Sequence, residues 1–347
     1  MTAWKTFVGS KIFWPVMALV ALLAANTIKT TRFVNIRVQD GHLFGALIDI
    51  LRNSSPLLLV AVGMTLVIAT RGIDLSVGAV VAISGAVACS YIASSADPTG
   101  VVTVLTAVGI AAVLSLVLGA WNGFLVSVVG IQPIIATLVL MTAGRGIAML
   151  ITGGQITTIN SPPYKIIGSG YWLAVPVAVL ISGGLFAIVA FLTRRTALGM
   201  LIESVGINPQ ASRLAGVQAR TIIWTVYALA GLFAGIAGLM ISSNVMAADA
   251  NNAGLFIELD AILAVVIGGT SLAGGKFSLA GTLVGVLVIQ TLTLTVTILG
   301  VPPAVTPLFK AVVVIAVCIM QSPVVRARIA SRRRVPVIAP VAAKVGA

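Results

Sequence analysis

Only 8% of the residues in this chain are charged, so each polar group set in apolar surroundings is a candidate for chemistry. In "RGIDLSVG", residues 71–78, Asp74 stands two residues ahead of Ser76. That pair can orient a broken helix or touch a polar solute passing along it. Asp74 can equally cap the following helix by accepting from its freed amides. Arg145, in "TAGRGIAML", has a glycine on each side. Glycines permit close helix approach, so this guanidinium either faces a pathway or bonds a neighbouring carbonyl. Asn122 follows Trp121 and reads as an interfacial residue. Asp249, Asn251, Asn252, Glu258 and Asp260 crowd into twelve residues. Carboxylates and amides together can accept from and donate to a hydroxyl-rich ligand or a partner protein. The same residue types favour turns, and Glu258 and Asp260 could cap the next helix. No aromatic ring precedes Phe256 in the cluster, so it lacks the stacking surface of a tight ligand site.

Other chemistries are excluded by what is missing. His42 is the single histidine, which leaves none for a catalytic dyad in the membrane and cannot build a zinc site. Cys89 and Cys318 lie inside apolar runs and read as small buried hydrophobes. "GGTSLAGGKFS", residues 268–278, approaches the phosphate-cradling loop and fails it. Thr270 stands where the first glycine belongs, and Phe277 follows Lys276 where a hydroxyl should hold magnesium. By this reading the chain is not an enzyme and binds no cofactor or metal.

The elements that must position these residues are membrane helices. Hydrophobic residues make up 59% of the chain and the mean hydropathy is +1.15, whereas a soluble domain carries about a quarter charged residues. The net charge of +13 does not point to nucleic acid, because the basic residues are not interleaved with aromatics and collect at segment ends. At about 20 apolar residues per crossing, the pattern predicts an all-α polytopic membrane protein of about ten transmembrane helices. They fall near 13–28, 55–70, 77–94, 101–120, 131–152, 172–193, 221–242, 260–273, 279–298 and 305–321. The second, third and eighth are short or interrupted by glycine.

With the N-terminus inside, fourteen Lys and Arg fall on cytoplasmic segments and five on the other side. Both termini and residues 194–220 are therefore expected in the cytoplasm. Residues 29–54 are the misfit, basic yet external; an amphipathic "LFGALIDILR" lying on the outer surface would account for them. The start, with Lys5, Lys11 and "LLAAN", also resembles a signal peptide, whose removal would leave the remaining topology unchanged. Residues 1–325 form the transmembrane domain, and 326–347 read as a basic, disordered cytoplasmic tail.

One polar segment interrupts the apolar sequence at its middle: "RTALGMLIESVGINPQASRLAGVQAR", residues 195–220. Leu198, Leu201, Ile202 and Val205 recur at helical spacing, Gly199 and Gly206 flank a short helix, and "INPQ" breaks it before a second, beginning near Pro209. An apolar stripe opposite a charged face suits the groove of a soluble partner or a bed of lipid headgroups.

"TALGMLIESVGIN…AGV" resembles the cytoplasmic coupling loop of the permease subunits in ribose-type ABC importers. "GMTLVIATRGIDLSVG" (63–78) and "ELDAILAVVIGGTSLAGGKF" (258–277) agree with that family, and the likeness covers nearly the whole chain. "VQDGHLFGALIDIL" (38–51) and "ADANNAGLFIELDAIL" (248–263) look most like its galactofuranose-type members. Arg71 departs from the family, where glycine is usual. The resemblance implies a monosaccharide-importing subunit in a bacterial inner membrane, with ATP and magnesium bound by a separate ATP-binding cassette subunit. Docking onto that ATPase would fall to Thr196, Leu198, Gly199, Ile202, Glu203, Gly206 and Asn208. A second permease, identical or paralogous, and a periplasmic sugar-binding protein complete the implied assembly, with the 249–260 cluster as contact for sugar or binding protein. It also implies an inverted repeat of spans two to five and seven to ten. Two rival readings are an ion-coupled secondary transporter acting alone, which would need an ionisable relay among the helices, and an ABC permease for nucleosides or branched-chain amino acids.

Overall fold

The computed structural model describes residues 12–30, 33–39 and 41–321. The expected tail at 326–347 and the leading Lys5 and Lys11 lie outside the described residues. A bilayer core offers no water to backbone amides and carbonyls, so a chain this apolar satisfies them within helices. In order these are α1 (Phe13–Lys29), α2 (Ala46–Ala69), α3 (Val77–Ser94), α4 (Val101–Phe124), α5 (Pro133–Ile151) and α6 (Pro162–Ser169). There follow α7 (Val177–Arg195), α8 (Ala197–Ile207), α9 (Pro209–Leu214), α10 (Ala219–Val245), α11 (Ile257–Ile267), α12 (Leu279–Ile298) and α13 (Thr306–Gln321). A π turn, Leu125–Val129, extends α4. Pro133, Pro162 and Pro209 each open a helix, where a missing amide costs nothing.

A helix stands at each of the ten expected places. Seven are long and apolar enough to cross a membrane: α2, α3, α4, α5, α7, α10 and α12. Helix α11 has 11 residues, which at 1.5 Å each reach about 16 Å, half of a bilayer core. Helix α3, expected to be short or interrupted, runs unbroken over 18 residues.

Two expected boundaries are corrected. "ALIDILR" is no separate surface helix; it forms the first two turns of α2, which is continuous for 24 residues despite Pro56. Asp49 and Asn53 break the apolar run yet sit exposed on that helix, so the backbone carries on beneath them. Ahead of it, β1 (Arg37–Gln39) and β2 (His42–Phe44) make an antiparallel hairpin with Gln39 opposite His42. Likewise α7 begins at Val177 and not near 172, because β4 (Tyr171–Trp172) and β5 (Val175–Pro176) form a hairpin there. A third short ladder joins β3 (Thr157–Thr158) to β6 (Ala247–Ala248), tying two connections together on the side away from α8.

Helices α2 and α10 form the centre. Every residue of α2 from Leu57 to Ala69 is buried, and α10 buries residues around its whole circumference. Lipid tails are as apolar as leucine, so burial of apolar area does not drive helices together here; close packing and interhelical hydrogen bonds do. Small residues supply the packing. Gly231 of α10 lies against Gly119 of α4, where an added Cβ would come within 2.6 Å of the Gly119 Cα. A Cβ on Gly63 of α2 would come within 2.9 Å of the Ala230 Cα. The Ser84 hydroxyl donates to the Gly235 carbonyl at 2.7 Å, and the Thr65 and Thr282 hydroxyls meet at 2.8 Å. Each such bond contributes about 0.6 kcal/mol in a membrane bundle.

Candidate functional site: two helix breaks and a mid-chain helix pair

The first break separates α2 from α3 at residues 70–76. Arg71 turns the chain in the left-handed region at φ 67°, a conformation that disfavours most side chains. The carboxylate of Asp74 is buried, and one of its oxygens accepts from the Ser76 amide at 2.9 Å and the Ser76 hydroxyl at 2.6 Å. Asp74 therefore shapes the turn before α3; the amides of the helix's first turn receive no side-chain cap. The Asn122 amide donates to the Ser76 hydroxyl at 2.8 Å, and the Thr137 hydroxyl accepts from the Leu75 amide at 3.1 Å. Asn122 is fully buried, which corrects its reading as an interfacial residue. Two buried atoms at this break, Asn122 Oδ1 and the Tyr227 hydroxyl, have no hydrogen-bond partner among the described residues. Buried polar groups are nearly always paired, so this turn holds spare hydrogen-bonding capacity.

The second break separates α10 from α11 at residues 246–256, and the two breaks meet. Gly78, at the start of α3, lies against the Glu258 carboxylate and the Gly254 carbonyl, with no room for a Cβ between them. Arg145 of α5 closes the contact from the side: one guanidinium nitrogen donates to the Ala250 carbonyl at 3.0 Å and the Ala253 carbonyl at 2.6 Å. Of the two options for Arg145, the structure displays the carbonyl bond.

The acidic and amide cluster divides into separate roles. Asp249 accepts from the Asn251 and Asn252 amides and from the Asn252 side chain at 2.7 Å, a self-contained loop turn. The Asn252 side-chain bond holds the Asp249 carboxyl below its ordinary range. Asn251 and Asn252 are exposed, whereas Glu258 is buried. The cap position of α11 is Phe256, which lends no side-chain cap, and among the described residues the Glu258 carboxylate reaches only the amide of its own residue in the first turn. Asp260 instead pairs with Lys310 of α13 at 2.6 Å.

The mid-chain segment forms α8 and α9. Thr196 caps α8 by accepting from the Leu198 amide, and Asn208 caps α9 by accepting from the Gln210 and Ala211 amides at 3.0 Å. The apolar stripe faces the chain itself, and not the partner groove or lipid headgroups that its pattern would equally suit. Ile202 and Val205 are buried and Leu198 packs against the core, while Met200, Ile207 and Leu214 are exposed on the opposite side. Gly206 and Gly199 are likewise buried seats: a Cβ on Gly206 would fall on the Ala69 carbonyl oxygen, and one on Gly199 on that of Thr193. Glu203 is half-exposed and lines a cleft of about 260 Å³ with Arg194, Gly199, Met200 and Phe277.

A junction ties this segment to the first break. The Gly275 amide donates to the Ala69 carbonyl at 2.9 Å. Arg71 donates from Nε to the Ala273 carbonyl at 3.1 Å and from its other end to the Ile207 carbonyl. The end of α8, the 268–278 loop and the first break thus share one set of backbone contacts. Arg71, noted in the sequence only as a departure from the family pattern, is the residue that staples them.

Broken helices meeting around buried polar groups, inside a bundle of membrane-length helices, are the construction of a membrane transport protein. Comparison with known proteins narrows the class. The chain belongs to the family described as branched-chain amino acid transport system / permease component, whose model matches residues 46–318. It is 49% identical over 315 residues to the galactofuranose transporter permease protein YtfT of Escherichia coli, covering 89% of this chain and 90% of that one. It is 42% identical over 336 residues to the fructose import permease protein FruF of Bifidobacterium longum, covering 95% and 93%. The ribose import permease protein RbsC of Escherichia coli is 39% identical over 302 residues, covering 86% and 90%. No solved structure matches.

Proposed function

We propose that this chain is the multi-pass permease subunit of a bacterial ABC importer that carries a monosaccharide across the inner membrane, both termini in the cytoplasm. ATP and magnesium belong to a separate ATP-binding cassette subunit; this chain supplies the path and performs no bond chemistry. A second permease subunit and a periplasmic sugar-binding protein complete the working unit. The cargo reading rests on three relatives, 39–49% identical over most of their length, named for galactofuranose, fructose and ribose. The family description names branched-chain amino acids, but the full-length likeness to sugar permeases outweighs it. A self-sufficient ion-coupled carrier would need an ionisable relay, whereas Asp74 is committed to Ser76, Arg145 to carbonyls and Asp260 to Lys310, which leaves Glu258 as a lone buried carboxylate and no relay.

The observation that carries the mechanism is the junction of Gly206, Arg71 and Gly275 with the end of α2. The ATPase docks on the exposed side of α8 and in the cleft lined by Glu203. Its motion on ATP binding displaces α8, whose end is held to Ala69 and Arg71, and so moves the first break. The start of α3 then shifts against Glu258 and the second break, and the spare bonding capacity of Asn122 and Tyr227 allows the polar groups to re-pair. The path changes sides and the sugar passes unmodified. Helices α2 and α10, the first spans of the two expected repeat halves, run antiparallel, with Arg52 meeting Asn244 and Gly63 meeting Ala230, and a break follows each, which supports the inverted-repeat reading.

Glu203→Trp fills the cleft, whose lining does not include Gly206 or Ala69, and so leaves that contact in place. In proteoliposomes holding the complete transporter, we expect sugar uptake to fall at least tenfold, about 1.4 kcal/mol of coupling, while ATP hydrolysis persists. Uptake per ATP equal to that of the unaltered protein would remove the cleft from the docking surface.

A further inference from the structure

A second polar feature lies apart from the two breaks. A cavity of about 230 Å³ opens between α2, α10, α11 and α12. Pro56, Leu57, Met240 and Ile257 give it apolar walls, and Arg52, Asn53, Asn244, Asp260 and Gln290 line it with polar groups. We infer that this cavity is a sugar-holding subsite within a single permease chain, in which the amides of Gln290, Asn53 and Asn244 receive the hydroxyls. The inference rests on the sugar-importer reading above and extends it to a site of binding.

Gln290 gives the strongest reason. It is the one amide in α12, "LAGTLVGVLVIQTLTLTVTI", and polar groups inside membrane helices are costly unless used. Its neighbouring hydroxyls, Thr293 and Thr295, bond back to their own helix at Ile289 and Thr291. Gln290 does neither: it lines the cavity, half-buried, with no hydrogen bond to a described residue. An amide offers two donors and an acceptor, the combination a sugar hydroxyl both needs and returns.

The other groups are held ready by their neighbours. Arg52 donates to the Gly168 carbonyl at 3.3 Å and to Asn244 Oδ1, which fixes the Asn244 side chain and leaves its amino group as a donor. Asp260 gives one carboxylate oxygen to Lys310 and keeps a second acceptor. The remaining walls are C–H surface, suited to the faces of a sugar ring. The cavity also reaches the moving parts, since Ile257 and Asp260 belong to the first turn of α11, beside Glu258 and the contact with Gly78. A solute seated here therefore touches the helix that the second break releases.

The test uses the complete transporter in proteoliposomes, with Cys89→Ala, Cys318→Ala and Gln290→Cys in this chain. The rate of thiol modification by 2-aminoethyl methanethiosulfonate is measured with and without D-galactose, D-fructose, D-ribose or L-isoleucine. The expected result is that the cysteine reacts, and that the transported sugar slows the reaction at least fivefold while L-isoleucine does not. As a companion, Gln290→Leu should lower the maximal uptake rate at least fivefold with little change in KM, because the binding protein sets the capture step. Gln290→Asn should recover part of the loss. A cysteine that never reacts, or reacts equally fast with every sugar in a transporter that still imports, overturns the subsite alone. A complete transporter with the unaltered chain that imports no sugar overturns the functional reading on which it stands.

Discussion

Gly206→Leu is expected to abolish sugar uptake, by a hundredfold or more, while the chain still inserts in the membrane. No side chain fits at this position, because even a Cβ would lie on the Ala69 carbonyl oxygen and crowd the Gly275 amide. Relief requires α8 to lift, which breaks the 2.9 Å bond from Gly275 to Ala69 and pulls Ile207 from Arg71. Overpacking of this kind costs about 1–3 kcal/mol even where the structure relaxes. In the proposed mechanism the relaxation itself is the damage, because it separates α8 from the break it would move. Uptake and ATP hydrolysis measured on the same proteoliposomes distinguish the cases. Hydrolysis that continues without uptake supports the account, and uptake at the unaltered rate contradicts it. Gly206→Ala, the smallest step, should give an intermediate loss.

Asp74→Leu should cost the most stability of any change at the breaks, about 3–5 kcal/mol. It leaves the buried Ser76 amide and hydroxyl without their acceptor, and each orphaned group costs about 1–3 kcal/mol. The Ser76 hydroxyl also receives the Asn122 amide, so the loss spreads to α4. Thermal unfolding in detergent should shift down by several degrees. Asp74→Asn keeps an acceptor oxygen of the same shape and removes the charge. If Asp74 acts by shaping the turn, the asparagine variant retains most stability and transport. Transport lost in a stable Asp74→Asn protein would instead give the charge a direct part in translocation.

Hydropathy located every long helix, because in a bilayer the apolar run and the backbone's need for internal bonds coincide. It misplaced starts where those two separate. In α2, Asp49 and Asn53 interrupt the apolar run while the helix continues under them, and Pro56 reads as a boundary that it is not. The segment of α8 shows a further limit. Periodicity marks Leu198, Ile202 and Val205 as one face but cannot say what covers it, and here the chain covers it itself. Residues that act as isolated polar points in apolar sequence were the hardest to read. Asn122 and Gln290 each sit alone in a long hydrophobic run; the lone amide marks Asn122 without showing its burial, and it is the signal that could have found Gln290. Tyr227 and Arg71 gave no such mark, since their importance comes from a break and a loop brought to them from distant parts of the chain. The meeting of Gly78 with Glu258 was equally out of reach, because it needs the second break to fold back against the first.

The account assigns this chain a path and a lever but no source of energy. The most direct measurement places the purified chain alone in proteoliposomes, imposes a proton gradient, and follows labelled D-galactose, D-fructose and D-ribose. Internal sugar should never exceed the external concentration until the ATPase, its companion subunits and ATP are added. Accumulation above equilibrium by the chain alone would contradict the account.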